Sequence, residues 1–136
     1  MARVRSRDTT PEIQVRSLLH RLGYRFRLHR KELPGTPDLV FPSRRKVIFI
    51  HGCFWHQHPG CRKATAPKTR AEFWRSKLNK NVQRDAIAQE RLQAEGWGTL
   101  VIWECEIAAS DLAARLCGFL GPTRPRWRGS AEHDAV

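Results

Sequence analysis

The sequence predicts a single α/β domain: a helix, an antiparallel meander of three strands, a pair of helices, a strand rejoining the sheet in parallel, and a last helix. Three observations carry this. Helical-period apolar repeats (Val15, Leu18, Leu19, Leu22) alternate along the chain with short β-rich runs such as Val47-Ile48-Phe49-Ile50. The 136 residues suffice for one core and not for two. An apolar fraction of 40%, with five tryptophans, argues for a folded globule rather than a disordered chain.

Residues 1–9 are polar and basic and read as an arm. The first helix opens at Thr10-Pro11-Glu12, with a hydroxyl cap, a proline in the first turn and an acid facing the positive end of the dipole; Gly23 supplies the stop. Tyr24, Phe26 and Leu28 alternate with Arg25, Arg27 and His29, as in a strand with one buried and one basic face. Pro34-Gly35 turns the chain into a second strand at Asp38–Phe41, and Pro42-Ser43-Arg44-Arg45 turns it into Lys46–Ile50, a run apolar enough to be buried on both faces. From His51 to Lys68 no periodicity survives, and burial alone cannot order so long a segment. Thr69-Arg70-Ala71-Glu72 has the pattern of a capping box and opens a helix carrying Phe73, Trp74 and Leu78; a second helix covers Val82–Glu95 and ends at Gly96. Thr99–Trp103 reads as a buried strand, parallel to its neighbour through a right-handed crossover, and Leu112–Leu120 as the last helix. The domain is thus expected over residues 10–120, with 121–136, rich in proline and arginine, as a disordered tail. The architecture is a compact α/β sandwich.

The formal net charge of +12, from 25 Lys+Arg against 13 Asp+Glu, favours a polyanionic partner. The basic residues are spread over folded segments as well as the tail, which favours nucleic acid over a merely solubilising surface. No stretch approaches the ~20 apolar residues of a membrane span, and Met1-Ala2-Arg3-Val4-Arg5 lacks the apolar run of a signal peptide, so an intracellular, cytoplasmic protein is expected.

In a reducing compartment four cysteines near histidines point to metal rather than to disulfides. Cys53, His58 and Cys61 lie within nine residues, and Cys105 follows Trp103-Glu104. Thiolates and imidazole are the ligands of tetrahedral zinc, and a site closed by four protein ligands is structural. Such a zinc would order loop 52–68. Cys117 competes with Cys105 for the fourth place and His56 with His58 for the imidazole; the preferred set is Cys53, His58, Cys61 and Cys105, with Cys117 an ordinary buried thiol. A second constellation joins Asp38, at the start of one strand, to His51, at the end of the next. An aspartate at a sheet end can bind magnesium with help from a main-chain carbonyl and water, and His51 and His56 would flank it with groups that titrate near neutrality.

Pro34-Gly35-Thr36-Pro37-Asp38, Val47-Ile48-Phe49-Ile50-His51-Gly52-Cys53-Phe54-Trp55-His56, Glu72-Phe73-Trp74, Asn81-Val82-Gln83-Arg84-Asp85 and Gly96-Trp97…Trp103-Glu104-Cys105 resemble the very short patch repair (Vsr) DNA mismatch endonucleases, from about Arg5 to Ile107. The resemblance implies a restriction-endonuclease-like core. It implies nicking of one strand 5′ to the thymine of a T·G mismatch, the lesion left when 5-methylcytosine deaminates. Asp38 would be the main ligand for one or two magnesium ions and the carbonyl of Ile50 a second. Threonine is common in the family at that position, and a main-chain ligand tolerates the change. His56 would be the general base, oriented by Asp85, with His51 as helper near the phosphate; Glu12 matches a family acid, although it also serves the helix dipole. Phe54 and Trp55, assisted by Trp74, would wedge between base pairs, where a mismatched step resists least. Lys77 and Asn81 could reach base edges or phosphates. The arm preceding the domain is shorter than is usual in the family, leaving Arg3, Arg5 and Arg7 as electrostatic contacts.

The sequence therefore predicts a magnesium-dependent mismatch endonuclease with one structural zinc. It would act as a monomer on duplex DNA beside mismatch-repair and repair-polymerase partners. The rivals are a restriction-like nuclease without mismatch specificity and a non-catalytic zinc DNA-binding module.

Overall fold

The computed structural model describes residues 9–123; Arg3, Arg5 and Arg7 and the tail beyond Thr123 lie outside the described residues. Helix α1 (Thr10–Leu22) is followed by β1 (Arg27–Leu28), β2 (Leu39–Phe41), β3 (Lys46–His51), helix α2 (Ala71–Ala94), β4 (Gly98–Trp103) and helix α3 (Leu112–Leu120). The strands form one sheet in the order β1-β2-β3-β4. The first three pair antiparallel, with Leu39 opposite Ile48, and β4 pairs parallel to β3, with His51 opposite Trp103. The meander and the parallel return strand are those the sequence predicts.

Period-two alternation assigns the two faces of the sheet. Leu39, Phe41, Ile48 and Ile102 pack with Val15 and Leu19 of α1 and Leu112, Leu116 and Leu120 of α3. Val40, Val47 and Phe49 turn the other way and pack on Leu92 of α2. Two helices thus cover one face and one covers the other. No helix among the described residues is long and apolar enough to cross a membrane.

Several local expectations are corrected. The cap of α1 is Thr9, whose hydroxyl accepts from the Glu12 N–H, and Thr10 is already helical. The strand expected from Tyr24 is only Arg27–Leu28, both exposed, because Tyr24 turns into the core at the end of α1. Strand β4 is an edge strand, mostly half-buried rather than buried. The capping box at Thr69–Glu72 does not form: Arg70 occupies the cap in a left-handed conformation without a side-chain bond.

The largest correction concerns the expected helical pair, which is one helix of 24 residues. No glycine or proline interrupts 71–94, and asparagine and lysine cost a helix interior little. What reads as a boundary at Asn79-Lys80-Asn81 is a polar stripe. Lys77, Asn81 and Asp85 recur at helical spacing on the side facing a cleft at the end of the sheet.

Candidate active site and metal centre

A cleft of about 980 Å³ opens at the end of the sheet where β3 runs out. Its wall brings together side chains from four places in the chain: Glu12 on α1, His29 and Asp38 flanking the β1–β2 connection, His51 and His56 at and beyond the end of β3, and Asp85 on α2. The local folding explains each. Asp38 precedes β2 and turns its Oδ2 to accept the Ile50 N–H of the neighbouring strand at 2.7 Å. His51 follows Val47 and Phe49 on the α2 side of the sheet, so alternation aims it at that helix. His56 arrives on a turn closed by its own N–H bonding to Gly52 O at 3.1 Å.

His56 Nδ1 lies 2.6 Å from Asp85 Oδ2. With Nδ1–H donated to the carboxylate, the Nε2 lone pair is left free to take a proton. The rings of His51 and His56 stack at 3.8 Å and within 5° of parallel. His51 is buried, and its Nδ1 finds no hydrogen-bond partner among the described residues. Burial, followed by the neighbouring His56, pushes its pKa down to about 4. This corrects the expectation that both imidazoles titrate near neutrality: His51 is a neutral ring at pH 7.

Asp38 moves the opposite way. Burial, opposed by the Ile50 N–H and reinforced by the Glu12 carboxylate, raises its pKa to about 7. A carboxylate held with so little compensation suits a bound cation, which would replace the missing charge. Glu12, buried in the first turn of α1, contacts Arg16 at 3.3 Å and His29 Nε2 at 2.9 Å. Ile50 lines the same cleft. The carboxylate-and-carbonyl donor set fits a hard divalent ion such as magnesium.

The second constellation lies beyond His56. One ligand atom from each of Cys53, His58, Cys61 and Cys105 falls within 4.8 Å of the other three. His58 Nδ1 is 3.7 Å from Cys53 Sγ and 3.4 Å from Cys105 Sγ. A tetrahedron with Zn–S of about 2.3 Å and Zn–N of about 2.0–2.1 Å has S···N edges of about 3.5 Å, so the set fits zinc. Burial pushes the Cys53 thiol up to about 12, a cost that a metal ligated by the thiolate would offset. Cys117 sits in α3 outside this group. His58 stacks on Trp103 at 4.2 Å, and Trp103 meets His51 edge-on at 5.1 Å. One indole therefore separates the metal set from the histidine pair, a direct result of the β3–β4 register.

Phe54, Trp55 and Trp74 form an aromatic cluster beside the cleft, with ring centroids 4.9–5.9 Å apart. All three are half-buried. Asn81 donates to the Trp55 carbonyl at 3.0 Å, so its amide braces the aromatic loop as well as lining the cleft beside Lys77. Gln57, left-handed at φ 51°, donates to the carbonyls of Phe54 and Ala64.

Sequence reasoning missed His29, Lys31, Arg84 and Glu104, all in the cleft wall. Glu104 accepts the Cys53 N–H at 3.0 Å and so ties β4 to the metal loop. The signal for His29 was weak: it stands on the polar side of an alternation, and its partners lie 17 and 9 residues away.

Comparison with known proteins identifies the family. The family model described as DNA mismatch endonuclease Vsr matches residues 1–63. The chain is 56% identical over 124 residues to the type II nicking enzyme V.XorIIP of Xanthomonas oryzae pv. oryzae, covering 90% of each. It is 47% identical over 111 residues to the DNA mismatch endonuclease Vsr of Escherichia coli K12, covering 82% of this chain and 70% of the relative. It is also 40% identical to the type II nicking enzyme V.NmeAIP of Neisseria meningitidis over 107 residues, or 79% and 76% of the two chains.

Proposed function

The chain belongs to the Vsr family of DNA mismatch endonucleases, and on that premise we propose that it nicks one strand of duplex DNA 5′ to the thymine of a T·G mismatch, with magnesium in the cleft and a structural zinc beside it. It is a DNA endonuclease, and two of its relatives are nicking enzymes. The observation that supports the finer reading is convergence. An underneutralised carboxylate and an oriented imidazole share one cleft with Trp55, which joins it to a cluster of half-buried aromatics, in a chain of net charge +12. The core is read as restriction-endonuclease-like from its mixed sheet, with the site at the strand ends.

Asp38 and the main-chain carbonyl of Ile50 would hold the magnesium, which when bound polarises the scissile phosphate and offsets the charge that builds on it. His56 Nε2 takes a proton from the attacking water. The water oxygen forms the new bond to phosphorus while the bond to the 3′ oxygen breaks, leaving a 5′-phosphate and a 3′-hydroxyl once that oxygen is protonated. Asp85 is a positioning residue: it holds the proton on His56 Nδ1 and keeps Nε2 facing the cleft. His51, neutral and stacked on His56, fixes the ring plane without adding a charge that would compete for the proton. Phe54, Trp55 and Trp74 enter the stack at the mismatch, where unstacking costs least. Cys53, His58, Cys61 and Cys105 would hold zinc with four protein ligands, a structural role that would fix the aromatic loop and leave the chemistry to the cleft.

Duplexes of identical sequence, matched and T·G, given to the protein with magnesium or with chelator, test this reading. Nicking confined to the T·G duplex with magnesium is expected. The Asp38→Asn protein should bind that duplex and lose at least about a thousandfold in nicking rate. Equal cutting of both duplexes would remove the mismatch claim, and unchanged nicking by Asp38→Asn would remove Asp38 from the metal site. Metal analysis should find zinc retained by the parent protein and lost from Cys105→Ser.

A further inference from the structure

We propose that His29 is a nitrogen ligand to the divalent cation at Asp38, completing with Glu12 a set of two carboxylates and one imidazole that binds manganese in preference to magnesium. The proposal rests on the reading of Asp38 as a metal ligand and extends it to a residue with no role in the mechanism above.

The three ligand atoms stand close enough together to close on one cation. His29 Nε2 lies 2.9 Å from Glu12 Oε2 and 3.9 Å from Asp38 Oδ1, and one ligand atom from each residue falls within 4.8 Å of the others. In an octahedral site with bonds near 2.1 Å, neighbouring ligands stand about 3 Å apart and opposite ones about 4.2 Å. A cation among these three atoms needs only a small closing movement. Asp38 Oδ2 is occupied by the Ile50 N–H, and its other oxygen, Oδ1, is the one turned to His29. The His29 side chain is about as buried as the carboxylates, at 10% exposed against 5% for Glu12 and 17% for Asp38. A surface histidine paired with an acid would instead lie in solvent.

The backbone is arranged to bring the ring there. His29 has φ 45°, left-handed, and its N–H bonds to the Asp38 carbonyl at 3.2 Å. That bond continues the β1–β2 ladder by one residue, so the residue offering Oδ1 also anchors the imidazole. A non-glycine residue keeps such a conformation where its surroundings over-determine it. The chemical consequence is selectivity. Magnesium prefers oxygen and sheds water reluctantly, whereas an imidazole nitrogen raises affinity for manganese and later divalent metals.

The test uses the zinc-loaded full chain without DNA and Mn2+ as the probe, read by electron spin echo modulation from directly bound 14N and by titration calorimetry. His29→Gly is the informative variant, because its backbone suits φ 45° and only the ring is removed. Zinc content and the thermal transition, unchanged in this variant, show that it folds. Nitrogen modulation in the parent protein, its loss in His29→Gly, its return with added imidazole, and a fall in Mn2+ affinity of about tenfold or more with a smaller change for Mg2+ are expected. Modulation absent from the parent, or undiminished in His29→Gly, would overturn the proposal and leave His29 as a partner of Glu12 only. Neither readout involves cleavage, so this inference can fail while mismatch nicking stands, and the reverse.

Discussion

Two neighbouring groups in the cleft depart from their ordinary pKa in opposite directions, and burial is the first cause of both. A carboxyl loses its charge when buried and an imidazole stays neutral, so Asp38 rises to about 7 while His51 falls to about 4. The pH dependence of metal binding follows from Asp38. Below pH 7 the proton must leave before a cation can bind, so magnesium affinity should fall about tenfold for each pH unit lost, and level off above pH 7. Calorimetric titration of the DNA-free protein across about pH 5.5 to 8.5 checks this; a flat profile would show that the carboxyl is already ionised throughout. The two histidines also differ in what revealed them. His51 and His56 lie in a recognisable run of six residues, whereas His29 becomes visible only when β1 and β2 are paired.

At the scale of elements, α2 carries most of the correction and much of the site. Its apolar contacts are sparse, with only Leu78, Ala88 and Leu92 buried over 24 residues. The polar run Asn79-Lys80-Asn81 that suggested two helices contains Asn81, which faces the cleft with Asp85 one turn further on. A functional stripe and a helix boundary look alike in a pattern of apolar residues, because both are gaps in it. The helix is docked on the sheet through a close approach at Gly35, φ 75°, where an added Cβ would stand 2.7 Å from Ala88 Cβ and 3.2 Å from the Phe49 ring. Gly35→Ala should therefore combine left-handed strain with overpacking and cost about 2–4 kcal/mol in urea unfolding. It should also slow nicking, since Asp85 would move with α2. A variant as stable as the parent would mean that the turn and helix yield freely.

Across the whole molecule the dominant quantity is charge. At net +12, binding to duplex DNA should weaken linearly in log K against log salt, with a slope near −0.9 for each phosphate neutralised. Lys31 and Lys77 line the cleft and are exposed. Replacing either with alanine should reduce the slope by about one and lower affinity for matched and mismatched duplexes alike. Anisotropy titrations over a salt series measure it. An unchanged slope would place the DNA path elsewhere on the basic surface, and a loss confined to the mismatched duplex would make that lysine a reader of bases.

The amino-acid sequence by itself determined the order of the strands, the antiparallel meander and the grouping of three candidate zinc ligands within nine residues. These depend on local alternation, turn chemistry and ligand spacing, all written in neighbouring positions. Only the tertiary structure decided that α2 is one helix, that β4 is an edge, and that His29 joins Glu12 and Asp38. Each of those depends on which residues far apart in the chain come within a few ångströms. Strand register and helix docking set such distances, and no local pattern encodes them.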